Sequence, residues 1–575
     1  MPDRSLASSP SPDAAAPRRE WHLFVPKLIT ALRQGYGFGD LRADLIAGLT
    51  VAIVALPLAM ALAIASGTTP DKGLVTAIVA GFLISALGGS RYQIGGPTGA
   101  FVVVVFNVIA EHGYDGLVLA TLMAGAMLVV LGYGRIGTYI KYVPYPVVTG
   151  FTAGIAVIIF TSQIKDLLGL TMDTVPADFL SKVAAYAQAL PTADAATMAV
   201  AFGSLALILV IRRLKPGLPI FLIAVVAGSL AVALVGLPVD TIGSRFGGIP
   251  TTLPTPVFPE ITWQRLVDLS PSAFTIAFLA GIESLLSAVV ADGMTGRKHR
   301  SNCELVAQGV ANIGSALFGG MPATGAIART ATNVRSGART PVAGMAHAVF
   351  LLVFVLALAP LAAFVPLASL AAVLVIVAWN MSEVKHVRHL MKAPMGDRVV
   401  LLLTFGLTVM VDLTVAIEVG VVLAAMLFMH RMANAVEVQT HTHLIDDDED
   451  DFTRPRTPDY EPLPEGIEVY QISGPFFFGA AAKLGDVLDK LRRPPRVFIL
   501  RMRLVPLIDA TGGHALQEFL HRCRGHGTRV ILSNVQPQPR QVLAELGFRE
   551  DDHLGFTPDT PTAIAEATAL LRAGR

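Results

Sequence analysis

Charge is scarce in this chain. Only 15% of its 575 residues are Asp, Glu, Lys or Arg, against about 25% in an average soluble domain. Apolar residues make up 53%, more than a water-soluble fold can hide, so disordered, collagen-like and ordinary soluble classes are excluded. Cysteine is nearly absent: Cys303 and Cys523 cannot build a disulfide framework or a thiol metal site. Net charge is lacking too. The 44 basic and 43 acidic residues give no basic surface for nucleic acid. No Gly-Lys-Ser/Thr phosphate loop occurs, so ATP-driven transport is unsupported. No clustered His, Cys or carboxylate set marks an enzyme, a cofactor or a metal centre. What the chain has in abundance is long apolar runs, which make it an integral membrane protein.

Met1 to Arg19 is rich in Ser, Pro, Ala and Asp and reads as a tail, not a signal peptide; an amphipathic stretch, Trp21 to Leu32, follows. Residues 1–40 are thus a cytoplasmic tail. Apolar segments then fall at 45–66, 74–90, 98–110, 117–133, 143–163, 195–211, 218–239, 270–292, 305–318, 325–337, 341–359, 367–381, 399–411 and 413–429. That is a fourteen-segment membrane domain over 41–435. With a cytoplasmic amino terminus, the even-numbered connections carry Arg91, Arg135, Arg212, Arg213, Arg297, Arg300, Arg335 and Arg388, and the odd ones carry Glu111, Asp115, Asp166 and Asp240. This asymmetry places both termini on the cytoplasmic side of a bacterial inner membrane. An acidic and Pro-rich linker occupies 436–465, with six consecutive acids from Asp446 to Asp451. Residues 466–575 read as a small α/β domain: strands at Ile467–Ile472, Val497–Met502 and Thr528–Leu532, helices near Ala480–Leu491, Thr511–Arg522 and Gln538–Leu546.

Two stretches of the membrane region echo each other. Ser85 to Gly89 precedes Gly95-Gly96-Pro97-Thr98-Gly99-Ala100, and Ser315 to Gly320 precedes Met321-Pro322-Ala323-Thr324-Gly325-Ala326; Pro97 and Pro322 lie 225 positions apart. With seven segments between the copies, the second is inverted relative to the first, the architecture of secondary transporters. Each copy is a Gly/Pro break followed by an apolar run too short to cross a bilayer. Freed backbone groups there must line a cavity or pack inside protein. Two inverted half-helices with facing amino termini would present N–H groups and positive dipole ends to an anion.

Asp44-Leu45-Ile46-Ala47-Gly48-Leu49-Thr50, Leu56-Pro57, Met60-Ala61, Gly96-Pro97-Thr98, Glu283-Ser284, Ala311-Asn312-Ile313 and Gly319-Gly320 through Arg329-Thr330 together resemble the SulP family of sulfate permease-like anion transporters. Ile508-Asp509-Ala510-Thr511-Gly512 resembles the STAS domain that closes such chains. The resemblance implies fourteen segments as two inverted repeats of seven, divided into core and gate domains, and a homodimer. It also implies a STAS domain that binds a cytoplasmic regulatory protein. Within the family, Pro57 to Ile64, Asp292 to Gly296 and Ala378 to Glu383 look like the bacterial C4-dicarboxylate (DauA-type) branch. Leu58 stands where many members carry Gln, which departs from a plain sulfate permease.

The expected activity is therefore elevator-type, proton-coupled uptake of C4-dicarboxylates. Sulfate or bicarbonate transport with H+ or Na+, anion exchange, or an uncoupled anion channel are the alternatives. Substrate contacts are expected from Pro57, from the backbone N–H groups of Thr98, Gly99, Ala100, Thr324, Gly325 and Ala326, and from the charge of Arg329. Glu283, inside an otherwise uncharged run, must be protonated, paired or binding a cation, and the resemblance implies that it is the coupling site; Ser287 lies four residues on and could add a second oxygen. Asp44 and Asp292 read as interfacial charges, and Asp509 with Thr511 as a strand-to-helix cap.

Overall fold

The computed structural model describes residues 23–573, apart from 139–143, 173–174, 177, 216–217, 251–255, 257, 412, 436, 441–462 and 478–493. The chain divides into two compact units, Met1–Val421 and Val422–Arg575.

The first unit opens with α1 (Lys27–Arg33) and continues through α2 (Phe38–Ala65) and α3 (Pro70–Leu87) to the two-residue strand β1 (Gly95–Gly96). Next come α4 (Phe101–Tyr133), α5 (Tyr145–Ser162), α6 (Phe179–Ala189), α7 (Ala195–Leu214) and α8 (Ile220–Val235). The second half runs α9 (Trp263–Thr295), α10 (Ser301–Leu317), β2 (Thr324–Gly325), α11 (Ile327–Arg335), α12 (Val342–Ala362), α13 (Leu367–Met381), α14 (Met395–Met410) and α15 (Leu413–Ala435). Helix α4 is two segments in one: Gly113 sits at φ 71°, ψ 179°, a conformation open to glycine, and turns the chain there. Counting α4 as two, each of the fourteen expected segments has a helix, and nine helices are long and apolar enough to cross a bilayer among the described residues.

The helices pack in two groups. Helices α2, α3, α4, α9, α10, α11 and α12 contact one another, and α5, α7, α8, α13 and α14 form a second set, with α2 touching α8 and α13 across the division. The first set is the first four segments of each half and the second comes from the later three, so both groups carry the internal repeat. Close approach is made possible by small residues. A Cβ on Gly125 of α4 would stand 2.7 Å from the Gly309 carbonyl of α10, and one on Gly309 2.5 Å from that of Gly125.

Asp44, expected at the interface, is fully buried. Its carboxylate accepts from Arg339 N (2.7 Å), Thr340 N (3.1 Å) and Thr340 Oγ1 (2.5 Å), which ties the start of α12 to α2. Burial and this carboxylate push the Tyr36 hydroxyl up to about 12. Asp292 accepts from the His299 N–H at 3.0 Å and faces its ring Nδ1 at 2.7 Å, so it fastens a turn.

The second unit is a five-stranded sheet, β3 (Glu437–Thr440), β4 (Ile467–Ser473), β5 (Val497–Leu504), β6 (Arg529–Ser533) and β7 (Leu554–Thr557), in that spatial order. Only β3 runs antiparallel to its neighbour. Period-two alternation sends Phe498, Leu500 and Met502 to one face, over α16 (Ala510–Gly525), and Val497 and Ile499 to the other, over α18 (Thr560–Ala573). Helix α17 (Pro537–Glu545) completes the first face. Asp509 is the amino-terminal cap of α16, accepting from Gly512 N at 2.7 Å. The three expected strands and the last two expected helices are present within a few residues. Strand β3 falls inside the segment expected as linker, and β7 and α18 were not foreseen. The helix expected at Ala480–Leu491 lies outside the described residues.

Candidate anion-binding site

The two breaks meet. Strands β1 and β2 pair antiparallel, Gly95 with Gly325 and Gly96 with Thr324, so part of the backbone freed by each break is satisfied by the other. This moves both half-helices later than hydrophobicity alone indicates: α4 starts at Phe101, not at 98, and α11 at Ile327, not at 325. The N–H of Ala326 donates to Ile94 O at 2.8 Å, and Thr324 lies within the ribbon, so those two N–H groups face no ligand. Gly325 is in the intervening, non-bonded position and points its N–H away from the ribbon. Among the described residues, the backbone N–H groups of Thr98, Gly99 and Ala100 and of Ile327, Ala328 and Arg329 have no protein acceptor. The run of free N–H groups in the second half therefore sits three residues further on than expected, at 327–329.

Opposite charges flank the first break. Thr98 Oγ1 donates to Glu283 Oε2 at 2.8 Å, and Arg329 Nη2 donates to the carbonyl oxygen of Pro97. Carboxylate and guanidinium thus hold adjacent residues without forming a direct ion pair. Arg329 is 3% exposed, and its Nε and Nη1 have no hydrogen-bond partner. Gly96, at φ +147°, makes room: a Cβ there would stand 2.6 Å from Arg329 Nη1. Ser287 does not join Glu283; its hydroxyl lies 3.0 Å from Thr330 Oγ1, which also accepts from Ile94 N at 3.1 Å. The fourth residue on shares a helical face, but the neighbour on that face is α11. Thr324 Oγ1 donates to Ala280 O at 2.9 Å. Pro57 and Leu58 are buried within α2, which packs on α3, α12 and α13.

Facing the first break from the second helix group are Ile159 of α5 and Met381 of α13. A Cβ on Gly99 would lie 2.5 Å from Met381 Sδ and 3.1 Å from Ile159 Cδ1. The half-helix terminus therefore abuts an apolar wall where the two groups meet.

Several residues that build the site have no site role assigned from the sequence. Asn312 of α10 clasps the second break, with Nδ2 donating to Ala323 O (2.9 Å) and Oδ1 accepting from Ala323 N (2.8 Å). Asn333 donates to Tyr92 O at 2.9 Å, Gln93 to Ser284 O at 3.1 Å, and Thr76 Oγ1 accepts from Met321 N at 2.7 Å. Buried Glu304 accepts from Gly89 N and Ser90 N at 2.8 and 3.1 Å. Asn312→Ala strands a buried N–H and C=O, a loss of about 1–3 kcal/mol for each group. The purified variant is expected to melt several degrees below wild type in a thermal-unfolding scan, and an unchanged midpoint would show that the clasp is dispensable.

Two halves whose broken helices meet inside the protein, free N–H groups after each break and a buried cation bonded to the first break are the features of a membrane anion transporter. The chain belongs to the sulfate permease family, which it matches over residues 41–404, with a STAS domain over 462–560. It is 42% identical over 519 residues to YvdB of Bacillus subtilis, which carries a provisional sulfate-transporter name; the match covers 90% of this chain and 95% of that one. It is 32% identical over 531 residues to the bicarbonate transporter BicA of Picosynechococcus, covering 88% and 91%. Among solved structures, the murine anion transporter Slc26a9 in its inward-facing state superposes with a TM-score of 0.84 at 17% identity, covering 99% of this chain and 100% of that one. The transmembrane domain of cyanobacterial BicA does so with 0.59 at 29%, covering 68% and 98%. The protein is a multi-pass membrane anion transporter, and the DauA-type likeness is not carried by these relatives.

Proposed function

We propose that the protein is a secondary active transporter of a small oxyanion, sulfate or bicarbonate, driven by a proton or sodium ion at Glu283. The observation that supports it most directly is the β1–β2 ribbon, which pairs the two breaks, with free N–H groups following each at 98–100 and 327–329 and the Arg329 guanidinium bonded to the Pro97 carbonyl. A doubly or singly charged oxyanion suits that donor set, and Pro57 of the buried α2 is proposed to close on it. Relatives named for sulfate and bicarbonate support the substrate class. A cation at Glu283 offsets the carboxylate, and through Thr98 the same event is felt by the half-helix that holds the anion. The first helix group then carries the site past the wall of Ile159 and Met381, as an elevator. Cytoplasmic termini, a dimer, and a regulatory partner for the STAS domain belong to the same reading.

C4-dicarboxylate uptake is the second reading, favoured by Leu58 in place of an amide. Purified protein in liposomes, offered labelled sulfate, bicarbonate and succinate under separate pH and sodium gradients, decides between them. Sulfate or bicarbonate is expected to accumulate above equilibrium and to stop when the gradient is collapsed. Accumulation of succinate alone would establish the second reading, and flux indifferent to any gradient would make the protein a channel.

A further inference from the structure

A second positive charge lies between the helix groups, against Phe106, about two helical turns beyond Gly99. A cavity of about 60 Å³ is bounded by Val102 and Phe106 of α4 on one side and by Ile158, Ser162 and Val409 of α5 and α14 on the other. Lys182 of α6 lines it too, together with Asp178 and Phe179 at the start of that helix. At about 10–15 Å³ per water in this measure, the cavity holds several waters or one small oxyanion. Lys182 is 5% exposed. Its ammonium lies 4.9 Å from the Phe106 ring centroid and, among the described residues, has no carboxylate within ion-pair distance and no hydrogen-bond acceptor. Asp178 lines the same cavity, where its Oδ2 caps α6 by accepting from Ser181 N at 2.9 Å and makes no direct ion pair with Lys182. Burial pulls the Lys182 ammonium below the ordinary lysine range, and Asp178 draws it back up.

A buried ammonium with no direct ion pair and no hydrogen-bond acceptor is costly, and an acid that is itself tied up as a helix cap offsets it only in part, unless something negative visits it. The position suggests what. Val102 and Val103 follow Gly99 along the half-helix, and Ile158 adjoins the Ile159 that closes on Gly99. The cavity therefore lies on the same seam as the ribbon site, beyond the constriction of Ile159 and Met381. We propose that this cavity is an entry station for the transported oxyanion, with Lys182 drawing the anion from bulk water to the closed side of the constriction. On the orientation favoured by the basic residues, that side is extracytoplasmic. Lys182 would be one of the few basic groups in an otherwise acidic set of outer connections, so its pull is local. Phe106 fixes the ammonium toward the cavity without neutralising it, because a ring face offers attraction but no charge.

The inference rests on the transport reading and is tested with the full-length protein in liposomes, using labelled sulfate and bicarbonate. Lys182→Gln is expected to raise KM about tenfold with kcat within twofold, because a focusing charge acts on encounter and not on the later steps. Lys182→Arg should retain wild-type KM. Lys182→Cys should behave like the Gln variant until treated with an aminoethyl thiosulfonate, which restores the ammonium and with it the low KM; a sulfonatoethyl reagent should raise KM further. Wild-type KM in Lys182→Gln, or no recovery on aminoethylation, would overturn the station while leaving transport standing. A wild-type protein that moves neither anion would overturn both.

Discussion

Glu283→Gln is expected to abolish gradient-driven accumulation while leaving anion exchange across the membrane measurable. The substitution keeps the shape of the side chain and an oxygen able to accept the Thr98 hydroxyl, so the hydrogen bond at 2.8 Å can survive and the half-helix stays in place. What is lost is the ability to alternate between a charged and a neutralised state. A group held permanently neutral can travel in either direction without its driving ion, so exchange persists and coupling does not. Labelled-anion uptake with and without an imposed pH or sodium gradient, beside counterflow in the same liposomes, separates the two. Equal accumulation by variant and wild type would remove Glu283 from coupling. Loss of both activities in a folded variant would instead make it part of the anion site.

The contrast between what hydrophobic pattern revealed and what it hid has a physical cause. Fourteen apolar runs and two Gly/Pro breaks are local features, and Glu283 stands out because a carboxylate in an uncharged run is expensive. The ribbon joining Gly95 to Gly325 is not local. Two residues of strand carry no alternation, so nothing in either copy indicates that it pairs with the other, and hydrophobicity alone puts both helix starts too early. Thr98 is a small side chain whose role comes wholly from what lies opposite it. Ser287 was placed beside Glu283 by helical geometry, yet helical geometry does not say which neighbouring helix will supply a nearer partner, and Thr330 does. In the second unit, β3 precedes the acidic run and pairs with β4 beyond it. Six like charges mark a solvated connection, and here that connection lies between two strands of one sheet instead of ahead of the domain. Lys182 gave no hint either, because its isolation is visible only once α6 is set against α4 and α5.

Arg329→Gln is expected to lower anion affinity by about 100-fold or more, taking roughly 1.5–3 kcal/mol for each charge-assisted hydrogen bond lost and two donors, Nε and Nη1, free to make them. Sulfate uptake at sub-millimolar concentration should fall to background with the fold intact by gel filtration. Arg329→Lys should recover little, since an ammonium cannot both hold the Pro97 carbonyl and present a fork to the anion. The independent check leaves the charge in place and displaces it. Gly96→Ala puts a Cβ at the position 2.6 Å from Nη1, in a backbone conformation at φ +147° that only glycine adopts readily, so the guanidinium must shift. If Arg329 recognises the anion, Gly96→Ala weakens uptake in the same direction as Arg329→Gln, and combining the two adds little because both remove one interaction. If Arg329 only braces the ribbon, Arg329→Lys, which keeps a donor to Pro97, should transport at near wild-type affinity, and the guanidinium would have no part in holding the anion.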